Sequence, residues 1–140
     1  MFDTFEECRD HLMQHITGPT SCREKIIDIC EWLYSAKPSP KSNLKIKSYP
    51  VDEPGVRFCL ISPGNDHFFC IKYQKKCAEM HFYRFRSPGR PALPPYMRLV
   101  SDNENWIRVN GSNVAGLPIE TIKGHIKEAY RHRFREFFPE

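Results

Sequence analysis

The spacing of apolar residues along the chain changes period twice. Near the N-terminus, Phe5, Cys8, Leu12 and Ile16 recur at the three-to-four-residue interval of one helix face. Thr4 with Glu7 is a capping-box pair that opens this helix, and Gly18-Pro19 closes it. Ser21 and Glu24 repeat the capping pattern, and Ile26, Ile29, Cys30 and Leu33 line a second helix to about Ala36. Residues 37–43 (KPSPKSN) are a polar connector. From Leu44 the period drops to two, with Leu44 and Ile46 alternating against Lys45 and Lys47. Strands are predicted from Leu44, over 56–61, 67–73, 77–85 and 106–109, with a short one within 96–100. Turn residues separate them at 52–55 (DEPG), 62–66 (SPGND) and 102–105 (DNEN), and 110–116 reads as a loop. The helical period then returns in Ile119, Ile122, Ile126, Ala129 and Tyr130, with Pro118 in the first turn. Gly124 weakens that helix by about 1 kcal/mol relative to Ala.

Two of the strands make a specific hairpin. If His67–Tyr73 and Cys77–Phe85 pair around Lys75-Lys76, Phe69 faces Phe82, Ile71 faces Met80, and Lys72 faces Glu79. Phe69, Ile71, Tyr73, Ala78, Met80 and Phe82 then form a core face. Phe68, Cys70, Lys72, Glu79, His81, Tyr83 and Phe85 form the other, and a slip of one residue would exchange the two. Lys-Lys suits a two-residue turn poorly, so a four-residue loop is expected. The element order implies an α+β fold: an antiparallel sheet of about five strands, with two N-terminal helices and one C-terminal helix packed on it. At this length a single domain over residues 1–140 is expected.

Composition adds a location and a surface. No apolar run approaches the roughly 20 residues of a membrane helix, and the acidic start MFDTFEE lacks the pattern of a secretory signal. A cytoplasmic protein with no membrane contact is expected, its six cysteines (Cys8, Cys22, Cys30, Cys59, Cys70, Cys77) free thiols. Charge is uneven. The net charge is +4, yet residues 67–98 alone hold seven Lys/Arg against one Glu. Basic residues interleaved with Phe and Tyr are the footprint of a surface that meets nucleic acid. Lys72, Lys75, Lys76, Arg84, Arg86, Arg90 and Arg98 are the candidate phosphate contacts, with Phe68, Tyr83 and Phe85 as stacking groups. The opposing explanation is that this second face lies under a helix.

Other patterns fail on geometry. His67-x2-Cys70 and Cys77-x3-His81 resemble a zinc set, but the odd offset between His67 and Cys70 sends them to opposite sides of a strand. Cys70 beside His81 suggests a thiolate–imidazole dyad, with no third orienting group in view. A metal-nuclease clamp built from Asp66 and the strand Cys70-Ile71-Lys72 has a cysteine where its second carboxylate belongs. No metal or cofactor is therefore expected, and no catalytic residue is assigned. Pro88, Pro91 and Pro94 in SPGRPALPP fit a rigid crossover better than a polyproline ligand. Phe134, Phe137 and Phe138 must either fold back on the core or meet a partner.

The segments CREKIIDICEWL, HFFCIKYQ, CAEMHFYRF, NWIRV and PIETIKGHIKEAY together resemble small uncharacterised α+β domains of the "predicted transport protein" type. That resemblance covers about Cys22 to Arg131 and implies an accessory role near nucleases or defence systems; the Pro-rich stretch and the six cysteines depart from the pattern. The function expected is a non-enzymatic binding module for nucleic acid or defence-associated work. The alternative is a protein-interaction or regulatory domain using the Pro-rich loop and the Phe-rich C-terminus. An enzyme with a Cys/His site is the remaining option.

Overall fold

The computed structural model of the chain describes residues 4–36, 44–50, 57–63, 66–74, 77–84, 93–99 and 105–138, the second and third of these as backbone only. Helix α1 (Phe5–His15) starts where the capping pattern puts it. Thr4 Oγ1 accepts from the Glu7 N–H at 3.2 Å, and Glu6 and Glu7 place negative charge at the positive end of the helix dipole. Helix α2 (Thr20–Ser35) starts earlier than its capping pattern suggests. Pro19 is its N-cap residue and no side chain caps it, so Ser21 and Glu24 lie inside the helix.

The strands are β1 (Leu44–Pro50), β2 (Arg57–Pro63), β3 (Phe69–Gln74), β4 (Cys77–Tyr83), β5 (Arg98–Leu99) and β6 (Trp106–Val109). They form one antiparallel sheet in the order β1-β2-β3-β4-β6-β5. Helices α3 (Gly111–Gly116) and α4 (Ile119–Phe134) complete the α+β fold. Among the described residues this is six strands and four helices, where the pattern suggested about five and three. The two-residue β5 closes the edge. The expected loop at 110–116 is instead α3, because two contacts satisfy its short ladder. Asn110 Oδ1 accepts from the Asn113 N–H at 2.9 Å, and Lys25 Nζ on α2 donates to the carbonyls of Val114, Ala115 and Leu117 at 3.1, 2.8 and 2.6 Å.

The β3–β4 register is the predicted one: Phe69 faces Phe82, Ile71 faces Met80, and Lys72 faces Glu79. Lys75-Lys76 lie outside the described residues, but the ladder runs to Gln74 opposite Cys77, so the expected four-residue loop is not formed: pairing continues until two residues separate the strands. Phe69, Ile71, Tyr73, Ala78, Met80 and Phe82 are all buried, joined by Ile107 and Val109 of β6 and by Ile122, Ile126, Ala129 and Tyr130 of α4. The C-terminal aromatics divide. Phe138 stacks on Trp32 and Phe134 meets Phe68 edge-on, whereas Phe137 is 89% exposed.

Not all the cysteines are free. Cys22 in the first turn of α2 forms a disulfide with Cys77 at the start of β4, with Cα atoms 6.1 Å apart. The main chain brings them together: the Cys77 N–H donates to the Thr17 carbonyl, at the approach to α2, at 2.7 Å. Cys8, Cys30 and Cys70 are buried thiols.

Candidate functional site: the outer face of the sheet

Alternation along the strands sends one set of side chains into the core and the other to the opposite face. On β3 and β4 that outer set is Cys70, Lys72 and Gln74, then Glu79, His81 and Tyr83; on β6 it is Trp106 and Arg108. Register turns it into rows. Cys70 faces His81, His81 faces Arg108, and Arg108 faces Arg98 across three successive strand pairs. Lys72 and Glu79 lie one row away.

The face is covered at one end and open at the other. Tyr83 is buried: Trp106 meets its ring edge-on at 5.7 Å and the Arg133 guanidinium of α4 sits 4.7 Å over it. Arg133 also reaches Asp66 at 3.5 Å, which pins the end of α4 beside β3. A base can stack on Tyr83 only by displacing Arg133. Toward β6 and β5 the cover ends, and Arg108 and Arg98 are exposed.

Among the described residues of this face, Glu79 is a buried acidic side chain, 6% exposed. Gln74 Nε2 donates to its Oε2 at 2.7 Å and His81 Nε2 lies 2.5 Å from its Oε1. The third group for a Cys70–His81 pair therefore exists, two residues before His81 on the same strand face. Period-two spacing could have revealed it. The pair is nonetheless not an activated nucleophile: burial pushes the Cys70 thiol up to about 12, so the sulfur stays protonated. Cys77 is engaged by Cys22, and among the described residues no group of three potential metal ligands converges.

Of the sequence-predicted site residues, Lys72 is half-buried on the outer face, Tyr83 is covered, and Phe68 is no stacking surface, being fully buried edge-on against Tyr130 and Phe134 of α4. Arg84 follows β4, its N–H donating to the Asn105 carbonyl at 2.7 Å. Its guanidinium faces α4, where its positive charge acts on His125, Glu128 and His132. It is thus separated from the Lys72 row. Lys75, Lys76, Phe85, Arg86 and Arg90 lie outside the described residues. The sequence reading missed Arg108 and did not set Arg98 beside it, because only the β4–β6–β5 pairing brings them together with His81.

A cleft of about 290 Å3 opens at this end of the face, lined by Glu79, Tyr96, Arg98, Arg108 and Asn110. Tyr96 is held by a 2.8 Å hydrogen bond between its hydroxyl and His125 Nε2 on α4. No protein-family model matches the chain, and no curated protein or solved structure is a significant match.

Proposed function

We propose that the protein is a non-enzymatic nucleic-acid-binding module that takes single strands across the open end of the outer sheet face. The observation that carries this reading is the Arg98–Arg108 pair. Like charges placed directly opposite each other on neighbouring strands destabilise a sheet. These two are exposed, and among the described residues no carboxylate pairs with either. Arg98 alone would be explained as edge protection, since charge on an edge strand blocks sheet-to-sheet pairing. Arg108 lies one strand inside the edge, where that explanation does not reach. A phosphate between the two guanidinium groups removes the repulsion and uses the fork geometry that suits arginine to phosphate. Lys72, two strands away on the same face, extends the track, and the basic residues at 75, 76, 86 and 90 adjoin it in sequence. The buried, protonated Cys70 thiol favours binding over catalysis.

Titration of a single-stranded oligonucleotide against salt tests the proposal. With Lys72, Arg98 and Arg108 on phosphates, the log–log slope of affinity on salt is expected to be about −2. Arg108→Ala should weaken every sequence alike and flatten that slope by about one contact. Affinity that is absent, or constant with salt, would reject the reading. A flat response would favour a protein contact at exposed Phe137, beside a cleft of about 390 Å3 lined by Arg131, His132, Arg135 and Glu136.

A further inference from the structure

The composition of the Arg98–Arg108 cleft goes beyond what a phosphate requires. A site for a bare anion would keep carboxylates away, yet Glu79 lines this one. Among the described residues each Glu79 oxygen has one partner, Gln74 on Oε2 and His81 on Oε1. An ionised carboxylate offers roughly four acceptor sites, so each oxygen keeps about one lone pair. Two adjacent lone pairs at the wall of a cleft match two adjacent N–H donors, the same bidentate geometry that arginine presents to carboxylates. A ligand with an anionic group for the arginines and a double-donor edge for Glu79 would match both features of the lining.

We infer that the cleft is a nucleotide subsite selective for guanine, an inference that rests on the nucleic-acid reading above. Guanine alone among the common bases presents two donors side by side, N1–H and the N2 amino group. On the same edge, adenine and cytosine set an amino group next to a ring acceptor, which would face a carboxylate lone pair. Uracil has one N–H between two carbonyl oxygens. Glu79 then reads the guanine edge, Tyr96 forms an aromatic wall, Asn110 supplies an amide at the rim, and Arg98 and Arg108 hold the flanking phosphate. The base is unstacked and exposed only in a single strand, which is the form such reading needs.

The test is fluorescence anisotropy with four labelled five-nucleotide uridine strands, differing only in a central G, A, C or U. The G strand should bind about tenfold more tightly than the others, the discrimination of one good bidentate contact. Glu79→Gln should bring the four to near equality, while Arg108→Ala should weaken all four and preserve the order. Equal binding of the four strands by the native protein overturns the guanine subsite and leaves the nucleic-acid reading standing. No binding to any strand overturns both. The native base series does not depend on the variants, so a Glu79→Gln protein that fails to fold leaves the test intact.

Discussion

Gly124 lies exposed in the middle of α4, and a Cβ built there meets no atom within 4 Å. Close packing therefore does not require the glycine, and its cost is the one its backbone freedom imposes. Gly124→Ala should stabilise the fold by about 0.5–1 kcal/mol, read as a higher urea midpoint with an unchanged slope. A lower midpoint would mean that the residue answers to something other than helix propensity. Single positions of this kind were legible in the sequence: the Thr4 cap and the α4 stripe needed only their neighbours in the chain. Glu79 was legible in part. Its spacing from His81 shows that the two share a strand face, but its burial and its bond to Gln74 depend on the closed hairpin.

At the scale of elements, the hairpin was readable because period-two alternation, once one face is apolar, admits one pairing that buries it. Helix α3 was not readable. Its Gly, Ser and Asn residues favour a loop, and the lysine that satisfies its carbonyls comes from α2, some 90 residues earlier. The Cys22–Cys77 bridge belongs to the same class, joining residues 55 apart that no local pattern relates. It ties α2 to β4, and loop-closure entropy makes it worth about 2–4 kcal/mol. Alkylation of the denatured, unreduced protein should leave Cys22 and Cys77 unlabelled, and label both after reduction. Cys22→Ala should lower the melting temperature to that of the reduced protein. Full labelling without reductant would show the bridge to be absent in solution.

Over the whole molecule, the docking of α4 against the end of β4 and the approach to β5 makes stability depend on pH. His125 and His132 titrate below their ordinary 6.5, first because burial disfavours the charged ring and then because Arg84 faces both; Glu128 opposes the shift. Arg131 also lowers His132, and Tyr96 contacts His125 through its hydroxyl. Glu128 itself titrates below 4.5, held mainly by its hydrogen bond from Arg131. For all three, the unfolded chain binds protons more readily than the fold. Their stabilisation is complete above about pH 6.5 and declines as pH falls below it, with Glu128 adding a further loss below about 4.5. Thermal melts from pH 7.5 to 4 should show the decline, and His125→Gln with His132→Gln should flatten its upper part. A melting temperature that rises as pH drops through 6 would contradict this account. By itself the sequence determined the α+β class, the strand order along the chain, the hairpin register and the core face, because each follows from periodicity between near neighbours. Only the tertiary structure decided which cations share a surface. That turns on β6 pairing with β4 and carrying β5 outside it, a long-range contact that sets Arg98 against Arg108 and sends Arg84 toward α4.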